Sequence, residues 1–319
     1  MSNSFQVIIF LFLSVFSCVG FAGNNESQKT KQKTVLVTGA SSGIGLKITQ
    51  VLSKNGYLVY AGARRDSDLK RLDAMDNVES VRLDVTDQAQ IDAAVKKIAG
   101  KGRGLDALVN NAGIAVIGPL IEVPVEELDW QLNVNVLGPY RVTQAFAPMI
   151  IESKGRITTT GSISGILSGS MFGQYSMSKH AIEAFTDSLA TEMERFDVQV
   201  SVIEPGNYAS KIGESFVKRL EKKGYWGEDS AYANELAGMK AGMGNASQSK
   251  DPQEVAEAVM HALFSDKPKR RYLVVPNASQ AYFTLGQAMT ELLQLNQDQP
   301  YSFTRDQLIE MMDAQMKSL

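Results

Sequence analysis

Cysteine is almost missing from this chain: Cys18 stands alone among 319 residues. A single cysteine excludes an intrachain disulfide and a multi-cysteine metal site. Histidine is nearly as scarce. His180 and His261 lie far apart and at no metal-ligand spacing, so no metal is expected. An excess of positive charge is missing too. The net charge is -3, which argues against a nucleic-acid partner. The one compact basic run, Lys267-Pro-Lys-Arg-Arg271, is short and reads as a solvated turn. There is no internal repeat and no low-complexity segment. What remains, 44% hydrophobic and 21% charged, is ordinary globular composition, long enough for one domain with a large core.

The N-terminus departs from that picture. Phe5 to Ala22 is almost wholly apolar and uncharged, at the short edge of a membrane-spanning helix. No Lys or Arg precedes it, whereas Lys29, Lys31 and Lys33 follow it. That asymmetry favours an anchor at 1–23 with the following domain in the cytoplasm. Gly20-Phe-Ala22 offers the alternative, a cleaved signal and export, and Val15-Phe-Ser-Cys18 makes a poor lipoprotein box. Residues 24–33 form a polar linker, and 34–319 are read as the catalytic domain.

Lys33 to Thr38 is a β-branched apolar run, read as a buried strand. It meets Gly39-Ala-Ser-Ser-Gly43-Ile-Gly45 and then a helical pattern. Strand, glycine turn and helix make a phosphate-binding corner, where backbone approaches a pyrophosphate and helical N–H groups meet its charge. Tyr57 to Gly62 is a second strand, followed by Arg64 and Arg65 with no acid to bind a ribose 2′-hydroxyl. Arginine there suits a 2′-phosphate, which favours NADP, with NAD as the alternative. Val78 to Leu83 leads to Asp84 and Val85, and Asp87 is expected to cap the next helix. Leu105 to Val109 ends in Asn110-Asn111-Ala112-Gly113. Strands alternating with helices at this spacing imply a doubly wound parallel α/β sheet, a single Rossmann-like fold.

Pro124 to Ile150 reads as mainly helical and contains Asn133 and Asn135. A strand at Arg156 to Thr160 leads to Ser162. Gln174 to Phe196 reads as one helix and starts with Tyr175-Ser-Met-Ser-Lys179. Tyr175 and Lys179 share a helical face one turn apart, and a fixed ammonium beside a phenol is expected to lower its pKa toward general acid/base use. After the strand Val198 to Ile203 come Pro205 and Gly206. Residues of about 207–250 depart from the alternation, hold Phe216, Tyr225, Trp226, Tyr232, Met239 and Met243, and read as a substrate lid. Asp251 and Pro252 are expected to start a helix to Phe264. Residues 279–319 read as a helical tail interrupted near Gln299 to Ser302.

Thr38-Gly39-x-x-x-Gly43-Ile-Gly45, Asn110-Asn-Ala-Gly113, Asn135, Ser162, Tyr175-x-x-x-Lys179 and Pro205-Gly206 occur in the order and spacing of the short-chain dehydrogenase/reductase family, which the chain resembles over Thr34 to Val275. Within it the chain is most similar to the retinol- and steroid-dehydrogenase-like branch. The resemblance implies an oxidoreductase that interconverts a carbonyl and an alcohol on a hydrophobic small molecule. Tyr175 is implied as general acid/base, with Lys179 lowering its pKa and binding the nicotinamide ribose. Ser162 is implied to hold the carbonyl oxygen and Asn135 to position a relay water. Gly39, Ser41, Gly43, Ile44 and Gly45 are implied to hold the pyrophosphate, with Asp84 and Val85 at adenine, Asn111, Ala112 and Gly113 at the adenosine ribose side, and Pro205, Gly206 and Ser210 at the nicotinamide. It also implies a homodimer or homotetramer. Gly161 stands where the family more often has serine, and Ser42 where NADP users often carry a basic residue. A non-catalytic dinucleotide-binding module is the reading from another class, and the presence of Ser162, Tyr175 and Lys179 together argues against it.

Overall fold

The computed structural model describes residues 31–210, 212, 215, 219, 222, 223, 229–243 and 250–318. The expectations for the apolar N-terminal run, and for Phe216, Tyr225 and Trp226 of the lid, fall outside the described residues. Gln32 to Leu319 forms one compact unit. Among the described residues no helix is long and apolar enough to cross a membrane.

The core is a seven-stranded parallel sheet in the order β3-β2-β1-β4-β5-β6-β7. Its strands are β1 (Thr34–Val37), β2 (Leu58–Ala63), β3 (Val78–Arg82), β4 (Ala107–Asn110), β5 (Arg156–Thr160), β6 (Gln199–Pro205) and β7 (Arg271–Val274). β1 is buried at every position, as a central strand covered on both faces must be. Leu36 pairs in register with Tyr60 on one side and Leu108 on the other.

The covering helices lie on both faces. α1 (Gly43–Lys54) and a later helix, Gln253–Phe264, pack on one side with Ile48, Leu52, Val255 and Val259. Ile91 and Ile98 of α3 (Gln88–Ala99) pack on the other face, with Phe146 and Ile150 of α5 (Leu137–Glu152). Between them, α2 (Asp66–Asp73) follows β2, and α4 (Val125–Asn135) precedes α5. α6 (Gly173–Met193) ends in a short 3₁₀ turn, Glu194–Phe196, so the expected helix is confirmed with a tighter last turn. α7 (Ala233–Met243) precedes the Gln253–Phe264 helix, which is α8. The tail is α9 (Ala278–Asn296) and α10 (Arg305–Ser318), with exposed apolar side chains that include Tyr282, Phe283 and Leu295.

Two local readings change. The stretch read as mainly helical from Pro124 divides at Val136, because Pro139 has no N–H to offer the carbonyl of Asn135. Asp251 does not cap α8. Its carboxylate pairs with Lys47 of α1 at 2.9 Å, and Pro252 occupies the cap position without a side-chain bond. Asp87 does cap α3, accepting from the Gln90 N–H at 3.2 Å.

Candidate active site

β1 and β4 are neighbours, yet the chain leaves β1 toward β2 and leaves β4 toward β5. That reversal opens a crevice at the strand ends, where open α/β sheets bind ligands. Its floor is built around Thr38. The Thr38 hydroxyl donates to the Val109 carbonyl at 3.3 Å and accepts from the Asn111 and Ala112 N–H groups at 2.9 and 3.0 Å. Asn111 then ties the corner together. Its Nδ2 donates to the Thr38 carbonyl at 3.1 Å, and its Oδ1 accepts from the Thr160 hydroxyl at 3.3 Å.

The glycine turn fits a dinucleotide phosphate. Gly39 has φ +64°, and a Cβ there would lie 2.8 Å from Ala112 Cα. A Cβ on Gly45 would lie 2.3 Å from both Asn111 Nδ2 and the Gly39 carbonyl oxygen. Ser42 precedes α1 without a side-chain cap, and no acid stands in the first turn. The N–H groups of that turn are therefore available to an anion. Ile44, beside them, packs on the core.

At the adenosine end, Arg64 Nη1 donates to Asp84 Oδ2 at 3.3 Å, which brings two expected residues together. Asp84 Oδ1 accepts from the Thr86 N–H and hydroxyl at 3.0 and 2.8 Å. Its carboxylate thus shapes the turn. Val85 is buried against Gly138, where a Cβ would meet Val85 Cγ2 at 2.7 Å. A residue the sequence reading missed, Arg71 of α2, donates from Nη2 to the Ser41 carbonyl. It brings a guanidinium to the glycine loop from another element, which no local motif signals.

Tyr175, Lys179 and Ser162 converge at the β5–α6 edge. Lys179 is buried, and its Nζ donates to the Thr160 carbonyl at 2.8 Å and lies 5.6 Å from the centre of the Tyr175 ring. Ser162 stands beside the Tyr175 phenol, and its Oγ accepts from the Ser164 N–H at 3.1 Å. Burial pushes the phenol up to about 12, against the downward pull of Ser162. The expected lowering by Lys179 does not show in this structure, where loss of hydration is the largest influence on the phenol. Burial also brings Lys179 down to about 8, while the charge of Glu183 pulls upward.

Asn135 is buried, but its side chain does not reach Lys179. Oδ1 accepts from the Ile114 N–H, and Nδ2 donates to the Ile114 carbonyl, both at 2.9 Å. Nδ2 also donates to Ser178 Oγ at 3.0 Å, as does Gln131 Nε2. Ser178 in turn donates to the Tyr175 carbonyl at 2.7 Å. Gln131 on α4 and Ser178 on α6 carry no local sequence signal, because only the fold brings them together. A Cβ on Gly113 would sit 3.5 Å from Asn135 Oδ1, an ordinary contact. At the other wall, Gly206 donates to the Val274 carbonyl at 2.8 Å and faces Gln280 of α9. Pro205 ends β6 and is buried, and Ser210 lies partly buried just beyond. Among the described residues no group of His, Cys, Asp and Glu could hold a metal ion.

The family model for short chain dehydrogenase matches residues 33–221. YbbO of Escherichia coli, an uncharacterized oxidoreductase, is 33% identical over 77% of this chain and 87% of its own length. An NADPH-dependent 3-dehydrocapnine reductase of Ornithobacterium rhinotracheale is 34% identical over 76% and 87%. A short chain dehydrogenase/reductase from Burkholderia phymatum, solved in complex with NAD, superposes with a TM-score of 0.70 at 25% identity, covering 86% of this chain and 99% of that one. With the glycine turn, the Ser162–Tyr175–Lys179 edge and the seven-stranded order in place, the chain belongs to the short-chain dehydrogenase/reductase family.

Proposed function

We propose that the protein interconverts the carbonyl and alcohol forms of an apolar small molecule, with NADP(H) as its nucleotide and Tyr175 as general acid/base. The observation that carries the substrate class is the wall beside Tyr175. Ala115, Ile117, Met171 and Leu236 form a buried apolar cluster, with Tyr175, Ile212, Tyr232 and Met239 packed against it. A carbonyl flanked by hydrocarbon loses little on entering it, whereas a carboxylate beside the carbonyl would lose hydration without a partner.

The nucleotide, when bound, supplies or accepts the hydride. The chain's residues do the rest. Gly39 and Gly45 keep backbone close to the diphosphate, and the first turn of α1 meets its charge. Arg64, just after β2, and Arg71, bonded to the glycine loop, offer guanidinium groups for an adenosine 2′-phosphate, which supports NADP, as does the NADPH dependence of the O. rhinotracheale relative. The B. phymatum structure holds NAD, so NAD-linked alcohol oxidation is the competing reading. Ser162 directs its hydroxyl to the substrate oxygen, and Tyr175, protonated at neutral pH, donates to it in reduction. Lys179 presents its positive charge beside that phenol. Because Pro139 cannot donate to it, the Asn135 carbonyl is the group on that residue suited to hold a relay water.

The apolar run before the linker is read as a tether to a membrane, with the domain on the cytoplasmic side. The deciding experiment mixes the full chain in detergent with NADPH or NADH and a panel of apolar ketones and aldehydes, following cofactor absorbance. Turnover is expected with NADPH, and Tyr175→Phe is expected to lower kcat on the order of 10²–10⁴-fold. Binding of NADPH with no turnover on any substrate overturns the catalytic reading. Arg64→Asp with unchanged NADPH kinetics removes Arg64 from the 2′-phosphate.

A further inference from the structure

Behind the catalytic edge, two carboxylates meet from different elements. Glu183 lies one helical turn beyond Lys179 on α6, and Glu204 is the penultimate residue of β6. The Glu204 side chain is 2% exposed and that of Glu183 14%. Arg271, the first residue of β7, faces both: its Nε stands 3.2 Å from Glu183 Oε2 and 3.6 Å from Glu204 Oε1. Its Nη2 goes to Asp187 of α6 at 2.6 Å. Arg270, the next basic residue, turns away to Glu194 at 3.2 Å.

One oxygen on each glutamate is left over. Glu183 Oε1 and Glu204 Oε1 are both buried and have no hydrogen-bond partner among the described residues. A single atom, Arg271 Nε, holds the two carboxyl groups side by side. Two ionised carboxylates in a dry place repel, and one proton between them removes the repulsion and satisfies both oxygens. Burial first, and then the charge of Glu183, push Glu204 up to about 8. Burial raises Glu183 as well, with Arg271 opposing.

The neighbourhood is shaped around this pair. A Cβ on Gly165 would lie 2.8 Å from Glu183 Oε1, and one on Gly161 would lie 3.1 Å from it. Gly161, the position where the family more often has serine, leaves the room that the carboxyl occupies. The charges then balance. Lys179 and Arg271 are positive; Asp187 and a singly protonated Glu183–Glu204 pair carry one negative charge each. Ionising both glutamates would leave an excess negative charge in the interior.

We propose that Glu183 and Glu204 hold one proton between them and act together as positioning residues for Lys179, the charge that stays on Glu183 keeping the buried amine in its ammonium form while Glu204 keeps Glu183 in place. The assignment rests on the reading of Tyr175 and Lys179 as the reaction centre. The positive charge beside the phenol is then maintained from behind, by a group that touches neither substrate nor nucleotide.

The test uses the full chain with ¹⁵N-labelled lysine, the Lys179 ζ-nitrogen being assigned by its loss in Lys179→Arg. In Glu183→Gln the Lys179 titration midpoint is expected to fall by about one unit or more, as for loss of a close opposite charge. The alkaline limb of the carbonyl-reduction profile is expected to move down with it. In Glu204→Gln the amide takes over as donor to Glu183, and Lys179 is expected to titrate as in the parent. A merely structural pair would change stability without moving that midpoint. An unmoved midpoint in Glu183→Gln overturns the proposal. Should that variant fail to fold, ¹³C-glutamate labelling of the parent decides: a carboxyl that disappears in Glu204→Gln must titrate well above the ordinary carboxylate range, and ordinary titration by every glutamate overturns the shared proton. A parent that reduces no carbonyl defeats the catalytic reading, while both titrations still decide the pair.

Discussion

Asn135 Nδ2 and Gln131 Nε2 both donate to Ser178 Oγ at 3.0 Å, so one buried hydroxyl joins α4 to α6 directly beneath Tyr175. Removing it in Ser178→Ala strands two buried amide N–H groups. The expected cost is about 1–3 kcal/mol of stability, read from the urea midpoint. Because Ser178 also donates to the Tyr175 carbonyl, kcat is expected to fall while the KM for the nucleotide holds. A variant as stable and as active as the parent would remove this hydroxyl from any supporting role.

Glu127 and Arg219 form an ion pair of unusual burial. Arg219 Nη2 donates to Glu127 Oε1 at 2.9 Å, its Nε reaches the other oxygen, and the guanidinium stacks 3.7 Å from the Trp130 ring centre. Glu127 is 4% exposed, so Arg219→Ala leaves a buried carboxylate without its main partner. The expected outcome is a higher KM for the apolar carbonyl, with nucleotide affinity unchanged. Equal loss of substrate and nucleotide affinity would point to general unfolding instead of a local loosening around Arg219.

Gly45 tests the cofactor corner. With a Cβ 2.3 Å from Asn111 Nδ2 and from the Gly39 oxygen, Gly45→Ala must push the glycine turn and β4 apart. Overpacking of this kind costs about 1–3 kcal/mol. Weaker NADPH binding by calorimetry and a lower Tm are expected together. Tight binding by a fully stable Gly45→Ala would show that the turn has slack that the contacts do not reveal.

Much of this was legible in the chain itself, for identifiable reasons. β1 and β2 announce themselves as short apolar runs because a central parallel strand is buried on both faces. Gly39 and Gly45 are legible because the backbone there tolerates no side chain. The hydrogen bonds of the Asn135 amide were not, because they depend on where Ile114 and Ser178 arrive in space. The Glu183–Glu204 pair was invisible for the same reason: the two residues come from separate elements, and each alone reads as an ordinary charged position. The burial that pushes the Tyr175 phenol up is not legible either, because helical spacing gives the distance to Lys179 but says nothing about desolvation.

That last point sets a pH dependence with a definite sign. Lys179 is brought down to about 8 by burial, and Tyr175 is pushed up to about 12. Below about 8 the ammonium and the donating phenol are both present, so carbonyl reduction is expected to be flat there. As pH rises through the Lys179 value the ammonium is lost long before the tyrosine ionises. The reductive rate is then expected to decline toward a limit of about tenfold per pH unit. The fold responds in the opposite sense at Lys179. A lysine lowered on folding is a cost in acid, fully present below about 8 and relieved between there and its ordinary value of 10.5. Tyr175, raised on folding, is a gain below its ordinary value of 10.0 that is lost as pH climbs toward about 12. Reductive turnover and Tm measured on the same samples between neutral pH and about 9 separate the two effects. Rate should fall there with no loss of stability traceable to Lys179, and Lys179→Met should flatten the Lys179 contribution to the Tm curve. A parent rate that stays level through about pH 9 would mean that the ammonium is not needed for proton donation by Tyr175.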